Sequence, residues 1–116
     1  MSDKTETPPD PKRTMTELEL VRERLPYWRM WSDRLHASLD TGDFVTAVKL
    51  VDAIALAAEE MGHHPDLDLT YGRLDVRLSS HDVGWVTSRD VALARTISAL
   101  VGAAGATAHP ERTSVL

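Results

Sequence analysis

Cysteine is absent from the chain, which excludes disulfide scaffolds, thiolate nucleophiles, Cys-ligated zinc and iron–sulfur clusters. Positive charge is scarce: thirteen Lys and Arg face eighteen Asp and Glu, a net charge of −5. A chain that repels phosphate overall is a poor general nucleic-acid binder. Long apolar runs are missing as well. The longest, Ala53 to Ala58, is far short of the roughly 20 residues that span a bilayer. The opening MSDKTETPPDPKR holds no apolar core of a secretory signal. No membrane association is expected, and the cytoplasm is the expected location. No Ser stands in a Gly-x-Ser-x-Gly elbow, so a serine triad has no support. What remains is the chemistry of acids, bases, hydroxyls and imidazoles.

The 116 residues fit one domain rather than two. Residues 1–14 carry Pro8, Pro9 and Pro11 among charged and hydroxyl residues and read as a disordered tail. Periodicity fades after Gly102, so residues 103–116 read as a flexible C-terminal tail around a domain at 15–102.

Inside those limits, Thr16 caps a short predicted helix to about Arg24, with Leu18, Val21 and Leu25 at helical spacing before Pro26. Trp28, Met30, Leu35, Ala37 and Leu39 fall in two alternating runs around Ser32-Asp33-Arg34, which predicts a hairpin. From Asp43 to Met61, Phe44, Ala47, Val48, Val51, Ala55 and Ala58 recur at three and four, with Asp43 as cap and Gly62 as stop. Leu67, Leu69 and Tyr71 then alternate before Gly72-Arg73, and Leu74, Val76 and Leu78 after it, predicting a second hairpin with one buried face. Thr87-Ser88-Arg89-Asp90 resembles a capping box ahead of Val91, Ala94, Ile97 and Val101 on a closing helix. The expected fold is α+β: a four-stranded antiparallel sheet with three helices packed on one face.

Three of the five histidines fall close together: His63 and His64 after the long helix, and His81 after the last strand. Imidazole both gives and takes a proton near neutrality, so such a group can run acid–base chemistry. Solvated loop residues are the alternative. Consecutive His63 and His64 project differently and no HxxxH or HxH spacing occurs, so no metal is expected. Asp66 and Asp68 could be recruited for a hard cation, but are more simply exposed strand positions. Glu59 lies one turn before His63 and could orient an imidazole through its other N–H, or simply face solvent. Asp90 reads as a helix cap and Tyr71 as a strand aromatic packing the hairpin face.

Glu59, three residues, His63-His64-Pro65, five residues, Tyr71, nine residues, His81, eight residues and Asp90 form a spaced signature. It resembles that of the pterin-4a-carbinolamine dehydratases, also called 4a-hydroxytetrahydrobiopterin dehydratases. Trp28, Asp43-Phe44, Ala58-Glu59, Ser79-Ser80-His81-Asp82 and Ser88-Arg89-Asp90 extend the resemblance over roughly residues 16–101. The resemblance implies a carbon–oxygen lyase that dehydrates a 4a-hydroxytetrahydropterin to the quinonoid dihydropterin, in tetrahydrobiopterin recycling. It implies His63 and His81 as the acid–base pair, His64 as a substrate-holding histidine, and no metal or organic cofactor. Glu59 and Trp85 join His64 as candidate substrate contacts.

Departures from the pattern bear on substrate fit rather than on acid–base capacity. Gly62 stands where Asp or Asn often precedes the His pair, and Gly84-Trp85-Val86-Thr87 replaces the usual Gly-Gly-Leu-Thr. Leu39 and Thr41 stand where the family's strand before the long helix commonly has phenylalanines. Trp85 could stack on a planar bicyclic ligand or fill the pocket instead. The same resemblance carries a rival reading, because some relatives act as dimerisation partners of a homeodomain transcription factor and others resemble Rubisco assembly factors. A scaffold has no need of the three imidazoles. With under about 90 residues of core and two sheet edges to satisfy, a homodimer or homotetramer is expected.

Overall fold

A computed structural model describes residues 10–113. Its elements are α1 (Glu17–Arg22), β1 (Arg29–Trp31), β2 (Arg34–Asp40), α2 (Phe44–Met61), β3 (Asp66–Thr70), β4 (Arg73–Leu78) and α3 (Ser88–Ala104). The strand β5 (Thr107–Ala108) and a 3₁₀ turn at Pro110–Thr113 follow. The sheet is antiparallel throughout, in the order β1-β2-β4-β3, with β5 added beside β2.

Register explains which face is the core. Leu35, Ala37 and Leu39 of β2 stand opposite Leu78, Val76 and Leu74 of β4, and Leu67 and Leu69 of β3 pair with Val76 and Leu74. Because side chains alternate across a strand, these leucines and valines share one face. The other face carries His36, Ser38 and Asp40 beside Arg77, Asp75 and Arg73. Helices α2 and α3 cover the apolar face with Leu50, Ile54, Leu93, Ile97 and Val101, all at most 2% exposed.

Helix α2 begins and ends as the sequence predicts, whereas α3 begins at its expected capping box but runs past Gly102 to Ala104, with Gly105 as its stop. The Asp43 carboxylate accepts from the Thr46 amide at 2.7 Å, and Thr87 with Asp90 makes a complete capping box on α3. The buried seam of α2 is Ala47, Leu50, Ile54 and Ala58, so Phe44 and Val48 of the expected face stay partly exposed. In α1 the core residue is Leu20; Leu18 and Val21, expected inward, are exposed because the six-residue helix turns its Leu20 side to the hydrophobic core. Tyr71 also differs from expectation, standing 77% exposed in the turn after β3.

The C-terminal expectation is corrected. Helix α3 runs to Ala104, and β5 pairs Ala108 with Leu39 and Thr107 with Asp40 along the edge that the three-residue β1 leaves uncovered. His109 N–H then donates to the Ser38 carbonyl, and Arg112 grips Asp40 with two bonds of 2.8 and 2.9 Å. The segment at 103–113 is therefore folded onto the sheet. Most of the expected N-terminal tail, residues 1–9, lies outside the described residues. Thr14, at its end, bridges to Thr87. Among the described residues no helix is long and apolar enough to cross a membrane.

Candidate active site

Three element ends converge: the C-terminus of α2, the end of β4 and the first turn of α3. Gly62 stops α2 in the left-handed region at φ 63°, and the chain leaves through His63-His64-Pro65 into β3. That turn is the reason for Gly at this position, since a residue with a Cβ resists it while Asn and Asp tolerate it better than most. The family's usual Asp or Asn before the His pair thus has a backbone explanation.

A cleft of about 410 Å³ opens there, lined by Gly62, His63, His64, Pro65, Asp66, Ser79, His81, Asp82 and Arg89. The three expected histidines all line it, although His63 and His81 are 18 positions apart in the chain. Each imidazole faces its own carboxylate. His63 Nε2 is 2.6 Å from Asp90 Oδ1, His64 Nε2 is 2.6 Å from Glu59 Oε2, and His81 Nε2 is 4.0 Å from Asp66 Oδ2. Burial grades the three pairs. Asp90 is fully buried and the His63 side chain 9% exposed, while His64 and His81 side chains are 61% and 73% exposed. A buried pair holds one geometry, whereas exposed ones reorient cheaply. At the rim, the hydrogen bond from Arg89 Nη2 holds the Asp82 carboxyl below its ordinary range.

The site differs from the sequence reading at particular residues. Glu59 does meet an imidazole, as its place one turn before the pair allows, and the imidazole is that of His64. Asp90 caps α3 as expected, but it is also the partner of His63; helix-cap patterning accounted for its presence and so hid its second contact. Asp66, read as a plain strand position, faces His81. Trp85 is not among the cleft residues. Its indole N–H donates to the Met15 carbonyl at 2.8 Å, and the ring packs on the core beneath the N-terminal segment. Among the described residues, no group of three or more His, Asp or Glu could hold a metal ion.

The sequence profile described as Pterin 4 alpha carbinolamine dehydratase matches residues 11–100. The chain belongs to this family. A protein of Nocardia farcinica provisionally named pterin-4-alpha-carbinolamine dehydratase is 41% identical over 84 residues, covering 72% of this chain and 88% of that protein. One of the same name from Thermosynechococcus vestitus is 38% identical over 84 residues, with the same coverage. Among solved structures, a transcriptional coactivator/pterin dehydratase from Brucella melitensis superposes with a TM-score of 0.73 at 32% identity, over 76% of this chain and 98% of that one. A pterin dehydratase-like protein described as a RuBisCO assembly factor of the alpha-carboxysome shares the fold, with TM-score 0.54 at 21% identity over 65% of this chain and 87% of that one. The family match ends at residue 100, so β5 and the 3₁₀ turn lie beyond it.

Proposed function

We propose that this member of the family dehydrates a 4a-hydroxytetrahydropterin to the quinonoid dihydropterin, with His63 and His81 as the proton-transfer pair and His64 as a substrate contact. The observation that carries the reading is the gathering of three imidazoles, each with its own carboxylate, around one cleft. The reaction breaks the C4a–oxygen bond. One group protonates the departing hydroxyl so that it leaves as water; another takes the proton from a ring nitrogen as the new C=N bond forms. Acid and base must therefore flank the substrate together, as residues from two different element ends can. Glu59 steadies His64 at the cleft mouth, and Asp66 does the same more loosely for His81.

The test is stopped-flow absorbance on freshly generated 4a-hydroxytetrahydropterin. The expected result is a wild-type rate well above the spontaneous one. A rate equal to the spontaneous one would remove the dehydratase reading and leave a binding or assembly role for the same fold.

A further inference from the structure

Behind the cleft, three fully buried side chains connect the two proton-transfer histidines. Ser80 Oγ donates to Asp90 Oδ2 at 2.8 Å. A hydroxyl has a single proton, so in the 2.7 Å contact between Ser80 Oγ and Thr87 Oγ1 the donor is Thr87. Thr87 Oγ1 in turn accepts from the Arg89 amide at 3.2 Å. Donation therefore runs one way, from Arg89 N–H through Thr87 and Ser80 to Asp90. The Thr87 amide adds a second bond to Asp90 Oδ2 at 2.9 Å, which leaves Oδ1 for His63 Nε2 at 2.6 Å. A carboxylate has no proton to give, so against an ionised Asp90 the hydrogen of this contact sits on Nε2, and in the neutral imidazole Nδ1 is then the bare nitrogen. Ser80 is also the residue before His81, and its amide is pinned to the Trp85 carbonyl at 2.9 Å.

We propose that Asp90 and Ser80 are positioning residues: Asp90 fixes His63 as the Nε2–H tautomer, and Ser80 locks Asp90 from the position next to His81. This rests on the dehydratase reading and divides its roles. A neutral His63 with Nδ1 bare can take a proton but not give one, so His63 is the base that strips the ring nitrogen. His81 is then the acid that delivers a proton to the leaving oxygen. The buried network ties the two element ends, so the spacing of base and acid is set by the hydroxyl chain and not by the loops alone.

The experiment uses the full chain and its Asp90→Asn, Ser80→Ala and Ser80→Thr variants, with two readouts. Long-range ¹H–¹⁵N correlation spectra, recorded where the imidazole is neutral, report the His63 tautomer without any substrate. Steady-state kinetics report kcat and KM. The expected wild-type spectrum shows Nε2 protonated and Nδ1 bare. In Asp90→Asn the two tautomers mix, and kcat falls by about 10- to 100-fold with KM within about twofold. Ser80→Ala moves both readouts the same way by less, and Ser80→Thr restores them. An Nδ1–H tautomer in the wild type overturns the proposal, as does a folded Asp90→Asn that keeps the wild-type tautomer and kcat. Should Asp90→Asn fail to fold, Ser80→Ala decides alone, and unchanged spectra and kcat overturn the proposal. A wild type with no activity but a tautomer that shifts in Asp90→Asn would refute the dehydratase reading and leave the positioning of His63 standing.

Discussion

Replacing Gly62 by Ala isolates the turn that delivers His63 to the cleft. A Cβ built at Gly62 meets nothing within 4 Å, so crowding contributes nothing and the whole effect lies in the backbone at φ 63°. The left-handed region costs an L-residue about 1–2 kcal/mol. Ala also narrows the unfolded ensemble, which offsets roughly 0.4–1 kcal/mol of that. The net loss is about 1 kcal/mol, which for a domain of this size lowers the melting temperature by roughly 4–8 °C. Asn tolerates the region, so Gly62→Asn should lose only a fraction of this and keep wild-type kcat. Thermal unfolding followed by circular dichroism gives the first quantity and the stopped-flow assay the second. An Ala variant that melts with or above the wild type would refute the backbone argument. An Asn variant that melts normally but turns over differently would show that residue 62 touches substrate.

Replacing His63 or His81 by Ala should lower turnover by about 10²- to 10⁴-fold, whereas His64→Ala should mainly raise KM; steady-state kinetics separate the two patterns. Burial holds the His36 pKa below its ordinary value, against the pull of Asp75. The unfolded chain therefore takes up a proton below about pH 6.5 that folded His36 resists, and stability should fall as pH drops from there. Urea titrations across pH 5–7 should show that slope flattened in His36→Gln. Asp43, held low by the Thr46 amide, and Asp82, held low by Arg89, act in a lower window: their contribution is present above about pH 4 and is lost as pH falls further. With the β3 edge unpaired among the described residues, copies of the chain are expected to meet through the sheet, and light scattering that returns a 12.8 kDa monomer at micromolar concentration would contradict it.

Elements with a strong period and a physical stop were legible in the sequence. Asp43 and Gly62 bracket α2 by capping chemistry that acts within a few residues, and Leu74, Val76 and Leu78 alternate because one sheet face is wet. Strand β5 escaped because two residues carry no alternation, and its partner lies far back in the chain at Leu39 and Asp40. The cleft histidines were legible by type and spacing, but their partners were not. His63 meets Asp90 across 27 positions, a tertiary contact with no local pattern, and the capping role already gave Asp90 a sufficient reason to be there. Trp85 was misplaced for a related reason: adjacency to the His81 loop says nothing about which way an indole turns, and its N–H found the Met15 carbonyl.

The pairing of Thr107 and Ala108 with β2 joins Leu39 to a residue 69 positions later through a strand of two residues. Following α3 by a short turn and pairing through only two residues, this strand can fray while the rest of the domain stays folded. When it opens, the helices, the hairpins and the cleft can all stay intact, yet the amides and carbonyls of β2 near Leu39 face solvent beside a β1 of only three residues. That is a bare strand edge, the surface on which a second chain adds. Aggregation of this protein should therefore begin from a locally opened native state, at denaturant concentrations or temperatures well below those that unfold the domain.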